Sequence, residues 1–252
     1  MRFSFVDTHC HLTFPQFDQD RDDVIKRAEA LGVCMVNATV SLDELEAARE
    51  LSERFESVYW TIGLSASDVD GKKVDETIEA ARKHRKDIVG VGEVGLDYYW
   101  VKDKEAQERE RENFARFIEL SKELRLPLIV HSRDAEEDAL RVLSEHGKKA
   151  LLHCFSGSLE LALTAVEGGH VISIPANVTH AKSRQHLARE LPLESIVLET
   201  DAPYLSPTPK TRNEPANVVN AAEKIAQLRG ISQKDVMEAT TRNAIEFYGL
   251  NK

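Results

Sequence analysis

The sequence predicts a (β/α)8 barrel of the α/β class, and three observations support this. Eight short runs rich in β-branched and apolar residues recur along the chain, with amphipathic helical stretches between them. These runs are apolar throughout rather than alternating, which is typical of parallel strands that are covered on both faces. The length of 252 residues also suits this fold, since such barrels commonly have about 250 residues.

The predicted strands and helices alternate along the whole chain. The strands are FSFVD, CMVNATV, VYWTIGL, IVGVGEVGL, PLIVHS, ALLHCFS, HVISIPA and SIVLETD. The helices are predicted at residues 20–31, 43–55, 74–84, 104–124, 135–146, 159–167, 183–191, 216–229 and 233–248. No linker interrupts this pattern, so residues 1–252 are predicted to form a single domain. An open doubly wound sheet is the alternative, but eight such units in one chain favour a closed barrel. The absence of GxGxxG after the first strand also argues against a dinucleotide-binding site.

Composition and charge narrow the functional classes. The apolar fraction is 42%, and no apolar run approaches the roughly 20 residues of a membrane span. The first residues enter a strand at once without a cleavable apolar region, so we expect a cytoplasmic protein without a membrane partner. The sequence does not report the oligomeric state, and a monomer is the favoured expectation. The formal net charge of −10 argues against broad adhesion to nucleic acid, but not against a nucleic-acid end held locally by metal ions and a few arginines.

Metal-binding residue types lie near the ends of five predicted strands. In a (β/α)8 barrel the active site lies at the C-terminal ends of the strands. His9 and His11 end the first strand and, being two residues apart, point to the same face. The other candidates are Glu93 on strand four, His131 on strand five, His153 on strand six, and Glu199 and Asp201 on strand eight. Their coincidence at strand ends predicts a shared metal site.

Imidazole and carboxylate groups together suit Zn²⁺, Mn²⁺ or Mg²⁺. A pair of such ions about 3.5–4 Å apart needs several N and O ligands and a bridging carboxylate. Asp201 is nearer the strand end than Glu199, so we expect Asp201 at the metal and Glu199 behind it, orienting a histidine. By strand alternation Cys10 and Cys154 turn away from the site. The cysteines, odd in number and without CxxC spacing, are predicted to pack in the core.

Six motifs carry a family resemblance. VDTHCHL, GVGEVGLDYY, LPLIVHSRDA, LLHCFSGS, IVLETDAPYLSP and RNEP follow one another between residues 6 and 215. In this order they resemble the TatD family of metal-dependent hydrolases, within the amidohydrolase-like barrels. The ligands that the resemblance implies are His9, His11 and Asp201 for one divalent ion, His131 and His153 for a second, and Glu93 as the bridge. It also implies phosphodiester hydrolysis of DNA, as a DNase or 3′–5′ exonuclease.

Two stretches depart from the family pattern. After the third strand the family usually has GxHP, whereas this chain reads GLSAS, with Ser65 where a histidine is expected. The seventh strand usually ends in a Gly-rich run and here continues as SIPANVTH. His180, at the end of this stretch, follows the strand on the active face of the barrel and is a candidate substrate contact. All the implied metal ligands are retained, so these departures concern the substrate more than the hydrolytic reaction.

The leading hypothesis is a two-metal phosphodiesterase that acts on nucleic-acid ends or small phosphodiesters. Asp201 is the expected general base, and Arg133, Lys210 and Arg212 are the expected phosphate-binding residues. One alternative is an amide or ester hydrolase, for lactones or acyl bonds, on the same metal centre, because an activated water attacks carbonyl carbon as readily as phosphorus. A non-catalytic binding module is a further alternative, and the complete ligand set counts against it.

Overall fold

The computed structural model describes residues 3–250, and its centre is one sheet of eight parallel strands. The strands are hydrogen bonded in sequence order, as the repeated strand–helix pattern predicts. Their bounds are β1 Phe5–Cys10, β2 Val33–Thr39, β3 Val58–Ile62, β4 Gly90–Asp97, β5 Leu128–Arg133, β6 Leu151–Leu152, β7 Val171–Pro175 and β8 Ile196–Glu199. The predicted (β/α)8 barrel is confirmed.

Nine α-helices surround the strands in the part of the chain that the structure describes. They are α1 Arg21–Ala30, α2 Leu45–Arg54, α3 Gly71–Lys83, α4 Lys104–Leu124, α5 Glu136–Glu145, α6 Leu159–Glu167, α7 Lys182–Glu190, α8 Val218–Arg229 and α9 Gln233–Tyr248. The predicted bounds of α4, α6 and α9 are reproduced, and the others shift by a few residues. For example, α3 begins before residue 74 because the Asp70 carboxylate caps it, accepting from the Lys72 backbone N at 2.9 Å.

The apolar core lies between the strands and the ring of helices. Helix α4 shows the expected periodicity, since its buried residues include Phe114, Phe117, Ile118 and Ser121, three or four positions apart. The three apolar residues among them join one cluster with strand residues such as Trp60. Among residues 3–250, none of the helices combines the length and the hydropathy that crossing a bilayer requires.

Backbone and side-chain hydrogen bonds close the barrel between β8 and β1. The backbone N of Asp201 donates to the His9 carbonyl oxygen at 2.9 Å. The fully buried Asp7 carboxylate accepts from the backbone N of Thr200 at 2.8 Å and from its hydroxyl at 2.6 Å. These bonds hold the residues after β8 against the end of β1 and thereby bring Asp201 beside His9.

Candidate metal centre

A cavity of about 920 Å³ lies among the loops that follow the strands. Its lining includes five of the six predicted metal ligands: His11, Glu93, His131, His153 and Asp201. The sixth, His9, is 1% exposed and lies against this group. The structure therefore brings together residues that come from five different strands or their ends.

Three of these side chains, His9, His11 and Glu93, converge on one point, and Asp201 lies beside the two histidines. His9 Nε2 lies 3.2 Å from His11 Nε2 and 3.2 Å from Glu93 Oε2. Asp201 Oδ1 lies 3.4 Å from His11 Nε2 and 3.9 Å from His9 Nε2. Ligand atoms that are about 2.0–2.2 Å from one ion are separated from each other by about 3–4 Å. The spacing therefore suits a single divalent cation.

The second oxygen of Glu93 faces a different pair of histidines. Glu93 Oε1 lies 2.7 Å from His131 Nδ1 and 3.9 Å from His153 Nε2. Glu93, His131 and His153 form a separate group whose ligand atoms all lie within 4.8 Å of one another. One carboxylate thus has an oxygen in each of two ligand groups, which is the arrangement that a bridge between two ions requires.

Outer hydrogen bonds fix which nitrogen of two histidines faces the centre. His11 Nδ1 lies 3.1 Å from the Ala38 carbonyl oxygen, and since a carbonyl only accepts, Nδ1 carries the proton. His153 Nδ1 donates to Glu199 Oε2 at 2.9 Å, and the Ser173 hydroxyl donates to the same oxygen at 2.6 Å. Both rings therefore present the lone pair of Nε2 to the centre, as metal ligation requires.

The carboxylates make the centre attractive to positive charge. Burial lowers the pKa of His131, but Asp97 and Glu93 outweigh this effect and raise it to about 10. Burial also lowers the pKa of His153, but the charges of Glu199 and Glu93 outweigh this effect and raise it to about 9. Histidines that hold protons so far above their usual range indicate an excess of negative charge. Divalent cations neutralise such an excess when they displace these protons, so the residues fit a metal centre.

Asp97 is a residue of the candidate centre that the sequence analysis missed. This buried residue ends β4, and its Oδ2 lies 3.1 Å from His131 Nε2. Its Oδ1 accepts from the backbone N of Tyr99 at 3.0 Å and of Trp100 at 3.1 Å. The available signal was its spacing from Glu93, because residues four apart on one strand share a face.

Of the three predicted phosphate-binding residues, one lines the cavity and two do not. Arg133 is exposed and lines the cavity. Arg212 instead donates to the Asp20 carboxylate at 2.7 and 2.6 Å, and neither Arg212 nor Lys210 is among the residues that line the cavity. Arg184, in the first turn of α7, does line it, although no motif marks this residue. Among residues 3–250, the arginine and lysine side chains of the cavity lining are therefore Arg133 and Arg184.

Strand alternation fails where the chain has already left the strand. β6 ends at Leu152, and Cys154 has a φ of 45°, so its side chain does not follow the alternation of β6. Cys154 lines the cavity, with its Sγ 3.3 Å from the Arg184 guanidinium, and the prediction that it packs in the core is wrong. Cys10, which remains on β1, and Cys34 are fully buried as predicted.

Glu93 and Asp201 reach the centre by irregular backbone. Glu93 is the fourth of eight residues in β4 rather than at its end, and the register with β5 shifts between Val91 and Val94. Such an irregularity re-aims a side chain within a strand. β8 ends at Glu199, and Asp201 has a φ of 54°, which turns its carboxylate toward His11.

Comparison with known proteins decides the family. The family described as TatD related DNase matches residues 6–249. The chain belongs to this family. Human deoxyribonuclease TATDN3 is 38% identical over 257 residues, covering 96% of this chain and 94% of that protein. The Bacillus subtilis uncharacterized metal-dependent hydrolase YabD is 36% identical over 256 residues, covering 97% and 99%. The crystal structure of YJJV, a TatD homolog from Escherichia coli K12, superposes with a TM-score of 0.91 at 26% identity over 100% of both chains.

The chain is therefore an enzyme, a TatD-type metal-dependent hydrolase acting on ester bonds, with clusters of His and Glu that can hold metal ions. Two stretches were expected to depart from the TatD pattern: GLSAS follows β3, and SIPANVTH spans the end of β7 and the turn after it. Ser65 lines the cavity, and its hydroxyl lies 3.1 Å from that of Ser67. His180 is exposed outside the cavity lining, with Nε2 3.1 Å from the Ser206 carbonyl oxygen. Of the two departures, the one at Ser65 reaches the site.

Proposed function

We propose that this TatD-family hydrolase cleaves phosphodiester bonds of DNA at a centre of two divalent metal ions. The observation that carries the proposal is the Glu93 carboxylate, whose two oxygens face two separate groups of histidine nitrogens. The name of the human relative and the description of the family, which both specify a DNase, support DNA as the substrate.

The proposed ligands are His9, His11 and Asp201 for one ion and His131 and His153 for the other, with Glu93 shared between them. Nitrogen and oxygen ligands of this kind suit Zn²⁺, Mn²⁺ or Mg²⁺. When bound, such ions supply a water made acidic enough to act as a nucleophile near neutral pH, and positive charge against the phosphoryl oxygens.

Asp201 is the proposed general base. Burial raises the pKa of its carboxyl, but the hydrogen bond with His11 and the charges of the neighbouring histidines outweigh this effect and lower the pKa. The carboxylate is therefore ionised at neutral pH, and it lines the cavity. From this position an Asp201 oxygen accepts the proton of the attacking water.

The cavity favours the end of a nucleic-acid chain over the side of a duplex. Its volume of about 920 Å³ lies within the range of about 300–1,000 Å³ that is typical of small-ligand sites. Arg133 and Arg184 supply guanidinium groups of the geometry that binds phosphate oxygens. We therefore propose exonuclease action on DNA ends, with the 3′–5′ polarity that the family resemblance implies.

Metal analysis combined with three kinds of substrate tests the proposal. We expect about two divalent ions per chain, hydrolysis of bis-p-nitrophenyl phosphate, and stepwise shortening of end-labelled oligonucleotides from the 3′ end. Glu93→Gln should lose metal and both activities. Hydrolysis of p-nitrophenyl acetate without any phosphodiester cleavage would contradict the proposal and favour the amide or ester hydrolase. Bound metal without turnover of any substrate would favour the binding module.

A further inference from the structure

Two aromatic side chains lie exposed on the wall of the metal cavity. Tyr99 and Trp100 follow β4 and are 43% and 68% exposed. Both line the cavity, and their rings meet edge to face with centroids 4.9 Å apart. Aromatic surface of this extent does not contribute to the core, and beside a catalytic centre it is available to a ligand.

Cationic groups lie over the same rings. The Arg133 guanidinium carbon is 3.7 Å from the centroid of Tyr99 and 5.9 Å from that of Trp100. Lys102 Nζ lies 5.5 Å from the Tyr99 centroid. An aromatic face next to a guanidinium matches the two parts of a nucleotide, because a base stacks on the ring while a phosphate pairs with the cation.

Asp97 connects this aromatic pair to the metal centre. One of its oxygens accepts from the backbone N of both Tyr99 and Trp100, and the other lies 3.1 Å from His131 Nε2. A single buried carboxylate therefore positions the aromatic turn relative to a proposed metal ligand. A base on these rings is consequently held close to a phosphate at the metal centre.

We propose that Tyr99 and Trp100 form a stacking subsite, which binds one unpaired nucleobase beside the scissile phosphate and thereby selects single-stranded DNA ends. In a duplex both faces of an internal base are covered by neighbouring base pairs, and a terminal base is held in the plane of its partner. An unpaired base is free of both constraints and therefore lies on these rings more readily. The inference rests on the proposed cleavage of DNA and adds the residues that discriminate between substrates.

Fluorescence tests the subsite without turnover. The chain has two tryptophans, of which Trp60 is fully buried and Trp100 is 68% exposed. A single-stranded phosphorothioate oligonucleotide, which resists cleavage, should quench the fluorescence of the metal-loaded protein more than a blunt duplex of the same sequence. Trp100→Phe keeps a ring for stacking and should lose the quenching. If the oligonucleotide binds and Trp100 is not quenched, the subsite is rejected.

Kinetics with abasic oligonucleotides identify the base that stacks. We expect removal of one particular base among the last three to lower kcat/KM of the wild type about tenfold, the size of one stacking interaction. This penalty should be lost in the double variant Tyr99→Leu/Trp100→Ala and persist in Trp100→Phe, which keeps a ring. The control is Tyr204→Leu, which should also keep the penalty. Tyr204 is an aromatic residue of the cavity lining, but its ring lies beside Phe14.

The outcomes separate the subsite from the proposed function. If the double variant loses the same factor on intact and abasic substrates, or keeps the wild-type penalty, Tyr99 and Trp100 do not bind the base. If the wild type cleaves no phosphodiester at all, the proposed function fails, and the quenching experiment alone then decides whether the aromatic pair binds single strands.

Discussion

At the scale of single residues, Asp201 is the side chain whose proposed chemical role can be separated from its structural role. Asp201→Asn preserves the size of the side chain and removes the proton acceptor. We expect kcat on bis-p-nitrophenyl phosphate to fall by about 10²–10⁴-fold at saturating metal. The midpoint of thermal unfolding should change little, because the residue lies beyond the end of β8. Near-normal activity at saturating metal would contradict the role of general base.

Two arginines, one inside and one outside the cavity lining, provide a matched comparison. Arg133 lines the cavity, whereas Arg212 is paired with Asp20 outside the cavity lining. Arg133→Gln should lower kcat/KM on oligonucleotides by about 10–100-fold, the worth of a hydrogen bond to a charged group. Arg212→Gln is expected to remain within about twofold of the wild type, since exposed ion pairs contribute little. Equal losses in steady-state assays of the two variants would show that phosphate binding extends beyond the cavity.

We expect the buried His170, which lies away from the metal centre, to make the free energy of unfolding depend on pH. It is 9% exposed, and its Nδ1 accepts from the Ala150 backbone N at 3.2 Å. Burial, together with the charge of Lys149, lowers the pKa of His170. The unfolded chain therefore takes up this proton first, and the free energy of unfolding should decrease as pH falls below about 6.5. Urea denaturation of the wild type and of His170→Gln should show that this part of the decrease is absent from the variant.

At the scale of elements, the end of β3 lies directly against the backbone of β4. A Cβ placed on Gly63 would lie 2.2 Å from the Glu93 carbonyl oxygen and 2.4 Å from its backbone N. Gly63→Ala should therefore displace Glu93, reduce metal content and lower the free energy of unfolding by about 1–3 kcal/mol. Gly71→Ala, where a Cβ meets nothing within 4 Å, is the control and should be neutral or slightly stabilising. Unchanged metal content in Gly63→Ala would show that Glu93 does not need this close approach.

The elements also show why sequence patterns predict some side-chain directions and not others. Alternation holds for residues that remain on a strand, and it correctly predicted that Cys10 is buried. It failed at Cys154, which has a positive φ beyond the end of β6. The backbone of such a residue depends on the turn that follows the strand, and the residue types alone do not report that turn.

At the scale of the whole molecule, the C-terminal helix α9 stabilises the closure of the barrel. The buried Tyr248 hydroxyl donates to the Thr8 carbonyl oxygen on β1 at 2.9 Å. Tyr248→Phe should leave this oxygen without that donor and lower the free energy of unfolding by about 1–3 kcal/mol. Chemical denaturation measures this loss, and metal content and kcat should remain within about twofold. A loss of metal without a loss of stability would mean that α9 acts on the centre rather than on the closure.

The sequence by itself determined the barrel and the side chains that meet in its cavity. Hydrophobic periodicity is a local property, and parallel strands place their carboxyl ends together, so the approximate positions of His9, His131 and His153 followed from the strand pattern. The motifs also contain the residue types of the candidate centre. These residues could be recognised as ligands because imidazole and carboxylate groups bind divalent ions.

Only the tertiary structure decided which further residues reach the site. Arg184 lines the cavity from the first turn of α7. Arg212 does not line it, because it lies in the loop after β8 and pairs with Asp20, a partner distant in sequence. The contact of Asp97 with His131 and the exposure of Trp100 beside it likewise depend on packing between elements. Spacing along a chain reports the face of a strand, whereas the path of a loop is set by contacts that form only when the barrel has closed.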